Sequence, residues 1–300
     1  MVVDTAGSAS SELRRRLGEN GIIVAPGVFS PISALIAARA GFEALYFSGG
    51  ALANSLGLPD LGMTTMSELT QAVHYVADRV KLPLIVDVDT GFGEAVNVMR
   101  VVRELEGLNV AALHIEDQVM PKKCGHLSGK QIVSVDEMVK KIIAAKESST
   151  KRIVVIARTD ARGVEGMDAA IERAIAYEKA GADMIFPEAL GSADEFREFA
   201  SKIHVQLLAN MTEFGKTPYI SVKEFERLGY KVVIFPMTAF RASLRALEDT
   251  YADLRRLGTQ RSRLGKMMTR EEIYRLIDYY SYESFDSESA KAADKVLKSR

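Results

Sequence analysis

From Gly21 onward, short runs of Val, Ile, Leu and Phe alternate with longer stretches in which apolar residues recur at helical spacing. The short runs carry few internal charges. That predicts strands buried on both faces, as in a parallel sheet covered by helices. The pattern places strands at 22–25, 44–47, 84–87, 111–115, 153–157, 184–186, 206–209 and 232–235, and helices at 31–40, 67–80, 95–105, 135–146, 167–180, 193–201, 222–228 and 239–257. Ser67-Glu68 reads as a helix start, and Gly41, Gly181 and Gly229 stand where a left-handed cap would end helices. The alternation predicts an α/β fold, a (β/α)8 TIM-type barrel over 21–257. A doubly wound open sheet would alternate similarly. The barrel is favoured because chemically capable residues recur just after nearly every strand, where barrel enzymes carry their active sites.

After Leu257 the pattern breaks. Residues 258–265 are polar and Arg-rich, and Thr269-Arg-Glu-Glu opens a helix through Tyr280 that no strand precedes. Its apolar face, made by Ile273, Leu276, Ile277 and Tyr280, must be covered by its own barrel or by a second copy of the chain. The polar stretch 281–300 is expected to be partly disordered, and residues 1–20 to form a flexible lead-in.

Composition narrows the class. With 47% hydrophobic and 26% charged residues the chain is globular, and a net charge of −1 without a basic block excludes a nucleic-acid or anionic-membrane partner. A small-molecule partner is expected. A single cysteine permits neither an intrachain disulfide nor a Cys-rich zinc site. The opening MVVDTAGSASS lacks the apolar run of a signal peptide, so a cytoplasmic location is expected.

That cysteine, Cys124, lies in PKKCGHLSGK beside Lys122, Lys123 and His126, with Gly125 and Gly129 supplying backbone freedom. Two ammonium groups and an imidazole would lower the thiol pKa and suit it to proton exchange; a buried apolar cysteine is the bland reading. The strand ends bear on the choice. Ser48-Gly49-Gly50 follows the second strand as a turn able to hold a carboxylate. Asp87 and Asp89, at alternate positions after the third, can approach one hard cation, with Mg²⁺ the best fit. His114 and Glu116 share one side of the fourth strand's end, Glu116 being available to the metal's water shell. Later ends supply Arg158 with Asp160, then Glu188, Asn210 and Thr212, Pro236 and Arg241. An acidic metal centre ringed by arginines and neutral donors suits a polycarboxylate, and a thiol on a glycine-bearing loop over 118–134 suits a proton donor delivered on closure.

These segments, in order along the chain, resemble the isocitrate lyase and phosphoenolpyruvate mutase superfamily, in particular its methylisocitrate-cleaving branch. The likeness runs from about Ala25 to Arg270 through LGLPDLG (56–62), VDVDTGFG (86–93), HIEDQ (114–118), KKCGH (122–126), ARTDA (157–161), FPEA (186–189), NMT (210–212) and FPMTAFRA (235–242). The resemblance implies a barrel whose last helix is exchanged between subunits of a homotetramer. It also implies Mg²⁺-dependent cleavage of 2-methylisocitrate, a tricarboxylate, to succinate and pyruvate in propionate breakdown through methylcitrate, with Mn²⁺ a possible substitute. By the same likeness Cys124 is the general acid, tuned by Lys122 and His126, and Tyr46 is a candidate base. Asp87 and Asp89 hold the metal, with Asp60, Glu116 and His114 around it. Ser48, Gly49, Gly50, Gly125, Arg158, Glu188, Asn210, Thr212, Arg241 and Arg270 bind substrate, and Phe186 and Pro236 set specificity. Isocitrate, oxaloacetate or a dimethylated malate is the alternative substrate, and a non-catalytic dicarboxylate-binding barrel the alternative class.

Overall fold

The computed structural model describes residues 7–298. Its eight strands are β1 (Ile23–Val28), β2 (Leu45–Phe47), β3 (Leu84–Asp87), β4 (Ala112–Glu116), β5 (Val154–Thr159), β6 (Met184–Pro187), β7 (Gln206–Asn210) and β8 (Val232–Phe235). They pair in sequence order as a closed parallel barrel, β8 returning to β1 with Val232 opposite Ile23. The expected barrel is therefore present. Closure splits each strand's buried residues by parity. One set, including Val86, Leu113, Val155 and Ile185, packs outward under the helices; the other, including Ala25, Ile85, Ile156 and Leu208, fills the interior.

The helices begin with α1 (Ala9–Leu17) and α2 (Pro31–Arg39), followed by α3 (Gly49–Ser55), α4 (Met66–Arg79), α5 (Ala95–Gly107), α6 (Val135–Ser148), α7 (Met167–Lys179), α8 (Ala193–Ala200), α9 (Val222–Arg227) and α10 (Thr238–Leu257). Serine or threonine caps recur: Ser30, Ser134, Ser192 and Ser221 each accept an amide of their helix's first turn. The start of α4 differs from expectation. Thr65, not Ser67, is the cap, and Glu68 returns the bond to the Thr65 amide at 2.7 Å. The turn expected at 48–50 is instead the start of α3, with Ser48 as its cap.

The flexible lead-in expected over 1–20 is corrected from Ala9 onward; residues 1–6 lie outside the described residues. Helix α1 is capped by Ser8 and buries Ala9, Leu13 and Leu17 in the same apolar cluster as the barrel interior. Arg14 ties it to Asp183 at 3.0 Å. The pattern was missed because one short helix with three consecutive arginines has few apolar positions to show. Leu13 is fully buried, so Leu13→Ala is expected to cost about 2–5 kcal/mol in chemical denaturation while leaving catalysis in the folded protein intact. A loss below about 0.5 kcal/mol would mean the helix is only draped on the surface.

The chain divides into two compact units, residues 1–242 and 243–300. The second holds most of α10, a 3₁₀ turn at Arg261–Lys266, α11 (Arg270–Leu276) and α12 (Tyr279–Lys298). The disorder expected at 281–300 is corrected: through Lys298 that stretch is helical, since its Ala, Ser, Glu and Lys are compatible with a solvated helix even without a buried face. Tyr282, Phe285, Val296 and Leu297 are exposed on it. Among the described residues no helix is long and apolar enough to cross a membrane.

Candidate active site

Strand parity also builds the site. Reading inward positions toward the carboxyl end, apolar residues give way to chemistry: Tyr46 to Ser48, Ile85 to Asp87, Ala112 to His114 and Glu116, Ile156 to Arg158, Phe186 to Glu188, Leu208 to Asn210, and Ile234 to Pro236. On β1 the corresponding residue is Gly27, where any Cβ would run into the Pro236 carbonyl. Most of these side chains and the loop around Cys124 enclose a cavity of about 220 Å³, lined also by Asp60, Thr212, Met237 and Arg241, whereas His114, Glu116 and Asp89 lie behind its lining.

On one wall the acids gather. Asp87 ends β3 and accepts the Gly49 amide at 3.2 Å and the Asp89 amide at 3.1 Å. A Cβ on Gly49 would stand 2.9 Å from Asp87 Oδ2, and one on Gly50 3.1 Å from Asp60 Oδ2, so the glycine pair lets both carboxylates approach. Asp89 was expected on the same extended segment as Asp87. Instead the strand ends first, and Asp89 sits in a turn at φ 49°. The two residues are still neighbours, since the Asp89 amide donates to Asp87 Oδ1, and the buried Lys122 ammonium pairs with Asp60 and lies 2.8 Å from Asp89 Oδ1. Burial pushes Asp89 up to about 6, Lys122 opposing and Asp87 reinforcing the shift. Burial also acts upward on Asp87, but nearby cations and its amide bonds keep it below the usual carboxylate range. Glu116 Oε1 is buried without a partner, and burial raises that carboxyl well above its ordinary range.

This donor set fits Mg²⁺. Asp60, Asp87 and Asp89 gather with one ammonium, Lys122, which pairs with two of them, an excess of negative charge made of hard oxygen donors. Among the described residues no three acidic, histidine or cysteine side chains converge as a ready cation cage. Mg²⁺ asks for less, since it keeps several waters and takes one or two carboxylates.

Beside the acids, Tyr46 Oη lies 2.7 Å from His114 Nε2 and donates to Asp87 Oδ2 at 3.3 Å; His114 Nε2 is 3.3 Å from Asp87 Oδ1. The two rings are parallel, and Phe186 meets the imidazole edge-on. Burial lowers His114 to about 4, leaving the ring neutral near pH 7. Burial and then the Asp87 charge raise the Tyr46 phenol well above its usual value, so it keeps its proton.

Arg158 crosses from the other side. It gives Nε and Nη2 to Asp160 at 2.9 and 3.1 Å, faces Glu116 Oε2 with Nη1 at 3.1 Å, and lies 5.3 Å from the Phe186 ring centre. Glu188 accepts from Asn210 Nδ2 and faces His126 Nε2 at 3.1 Å. Although burial opposes it, the Arg158 charge and the His126 bond hold Glu188 down to about 2. Arg241 donates to Thr212 Oγ1 at 3.1 Å and to the Glu213 carboxylate at 2.7 Å.

The loop bearing Cys124 is seated on the cavity. Its limbs are joined by a bridge between Gln118 and Ile132, and the Gln118 side chain holds the Lys123 backbone through bonds of 2.8 and 2.9 Å. Gly125 rests on Glu188 and Arg158 so closely that a Cβ would stand 2.6 Å from Arg158 Nη2. The Lys216 amide donates to His126 Nδ1 at 3.0 Å, which places the ring proton on Nε2, toward Glu188.

One expectation about the thiol is overturned. The polar side chains around Cys124 do not serve it: Lys122 faces Asp60 and Asp89, Lys123 donates to the Gly129 carbonyl, and His126 turns to Glu188. Burial dominates and raises the thiol pKa. Sequence proximity showed the charges but not where their side chains point.

The cavity thus gathers Tyr46, Ser48, Gly50, Asp60, Asp87, Lys122, Cys124, Gly125, His126, Arg158, Phe186, Glu188, Asn210, Thr212, Pro236 and Arg241. Gly49 is adjacent, but its amide is engaged by Asp87. Arg270 opens α11 in the second unit, where it is exposed. Asn54 and Met237 line the cavity without having been anticipated. Asn54 is on the unpredicted α3, and Met237 follows the predicted Pro236 with no chemical signal of its own.

Residues 13–255 match the family model described as phosphoenolpyruvate phosphomutase. The chain belongs to that family. Within the superfamily that joins phosphoenolpyruvate mutase and isocitrate lyase it is a lyase, in keeping with its curated relatives. It is 56% identical over 285 residues to a 2-methylisocitrate lyase of Aeropyrum pernix, covering 95% of this chain and 92% of that one. A solved 2,3-dimethylmalate lyase has a TM-score of 0.89 at 36% identity, covering 95% and 96% of the two chains. A phosphonopyruvate hydrolase in complex with oxalate and Mg²⁺ has a TM-score of 0.85 at 30% identity, covering 93% and 98%. Members of the superfamily are generally Mg²⁺-dependent, so an acidic wall on this barrel is in keeping with the family.

Proposed function

We propose that this lyase cleaves 2-methylisocitrate to succinate and pyruvate, with Mg²⁺ at Asp87 and Asp89 and Cys124 as the general acid. The observation that carries the reading is the chain's single thiol, lining one cavity with the carboxylates of Asp60 and Asp87 and with donors that include Arg158, Asn210 and Arg241. A tricarboxylate has one end for the acidic wall and others for the cationic donors. Asp87 and Asp89 would hold Mg²⁺, with Asp60 and Glu116 beside them, and the ion would supply Lewis-acid stabilisation of negative charge on the hydroxy-acid end.

The protein's own groups account for the protons. Tyr46 Oη receives the substrate hydroxyl proton as its own passes to His114 Nε2, 2.7 Å away, and Asp87 Oδ1 faces the imidazolium so formed. This relay is needed because a buried phenol beside Asp87 is not a standing phenolate. The carbon–carbon bond breaks as the alkoxide becomes the pyruvate carbonyl, and its electron pair remains on the succinate fragment. Cys124 Sγ gives that carbanion its proton. A thiol whose pKa is raised by burial is suited to donate, since it is protonated at neutral pH. The seated loop excludes water, which would otherwise compete as the acid. Ser48 and the amide of Gly50 remain proposed carboxylate contacts.

The lining supports a selectivity role for the barrel wall. Phe186, Pro236 and Met237 line the cavity, whereas Leu127 is exposed and Ser128 and Gly129 lie outside the lining. One methyl group is worth about 1–3 kcal/mol, so 2-methylisocitrate is expected to exceed isocitrate by roughly 10–200-fold in kcat/KM. Incubation with each acid, reading pyruvate and glyoxylate, is the test. Chelation should abolish turnover and Mg²⁺, or less well Mn²⁺, restore it. Absence of both products would sink the lyase substrate reading, and preference for isocitrate would reassign the substrate.

The exposed apolar residues of the second unit, among them Tyr251, Leu254, Ile273 and Tyr280, support assembly through the C-terminal helices into a homotetramer, with Arg270 reaching substrate within it. Propionate breakdown through methylcitrate is the pathway that fits this reaction, in the cytoplasm.

A further inference from the structure

Lys130 has no part in the proton steps, yet its side chain is only 1% exposed. It stands on the returning limb of the cysteine loop. Its ammonium donates to the Gly125 carbonyl and, at 2.7 Å, to Asp160 Oδ1. Asp160 is also the residue that orients Arg158, and its amide is fixed by Asp117 Oδ1 at 2.8 Å. One cation therefore bridges the carbonyl next to the thiol and the carboxylate behind the arginine.

Neutralising Asp160 does not explain this arrangement, because Arg158 already grips it with a two-bond fork. A buried ammonium must find acceptors, and here one of the two exists only when Gly125 rests on the barrel. Burial of Lys130 and seating of the thiol are one event.

We propose that Lys130 is a positioning residue: its ammonium, shared between the Gly125 carbonyl and Asp160, registers the cysteine turn against Arg158 so that the proton donor is in place only when the loop is seated. The inference rests on the lyase reading for its kinetic consequence. Its structural consequence needs no substrate.

Because Cys124 is the only cysteine, alkylation by iodoacetamide at about pH 8 reads this turn alone; the sulfur forms a bond to carbon, iodide leaves and the thiol proton passes to buffer. Lys130→Met is expected to speed alkylation by about tenfold or more as the unseated population grows. Its melting temperature should fall by no more than roughly 10 °C, since Arg158 still pairs with the Asp160 carboxylate left behind. With substrate, kcat should fall by about 100-fold, more than KM changes. Lys130→Arg, which keeps a cation between the two acceptors, should restore most of the protection. Alkylation of Lys130→Met within about twofold of the unaltered protein would overturn the proposal. If that variant does not fold, Lys130→Arg decides: slow alkylation supports the registration role and alkylation as fast as a free thiol overturns it. An unaltered protein that cleaves no 2-methylisocitrate would defeat the substrate reading and leave the alkylation result standing.

Discussion

Cys124→Ser is expected to lower kcat for cleavage by about 1,000-fold, the range associated with loss of a general acid, while the melting temperature and succinate binding stay close to those of the unaltered protein. The residue sits on the seated loop and is not part of either apolar core cluster, so the variant removes proton donation without opening a core cavity. A serine hydroxyl is a far weaker acid than a thiol at the same place. The pH dependence follows from the sign of the shift. Burial raises the thiol pKa, so the donating form persists through neutrality and is lost only above the ordinary thiol range, about 8.5. The limb set by Cys124 is therefore a decline on that alkaline side, whereas protonation of Asp89, raised to about 6, sets the acid limb. The reverse condensation, which needs the thiolate, should gain there. Steady-state rates across pH check both limbs, and a serine variant within about tenfold of normal activity would remove Cys124 from the reaction.

Gly125→Ala tests the seating itself. The added methyl would overlap the Glu188 side chain and stand 2.6 Å from Arg158 Nη2, and both of those groups are pinned, one by Asn210 and the other by Asp160. The loop must lift, moving the neighbouring thiol with it. Displacement of a reacting group by about 1 Å can cost roughly 100-fold, so kcat/KM should fall by at least that factor. Thermal stability should change little, because the strain is relieved by unseating a loop rather than by disturbing the barrel. Activity near normal would mean that the donor acts from a less tightly seated loop.

The strands were legible because burial on both faces leaves unbroken apolar runs, and seven of the inward polar residues at their ends follow from continuing each run by parity. Helix α1 was not, since Leu13 finds its place only once a barrel interior exists to be covered. The same holds for α3. Its Gly-Gly start reads locally as a turn, and it is a helix because Ser48 caps it and both carboxylates need the bare glycines.

Cys124 marks the boundary between the two kinds of information. The sequence alone determined that one thiol, two lysines and a histidine lie within five residues, and that they follow the fourth strand of an eight-strand alternation. Those are matters of order and spacing. Which side chain serves which partner was decided by tertiary structure: Asp60 and Asp89 claim Lys122, Glu188 claims His126, and Asp160 claims Lys130. The reason is physical. A buried ion is stable only beside its counterion, the counterions come from strands and loops distant in sequence, and closure of the barrel is what brings them together.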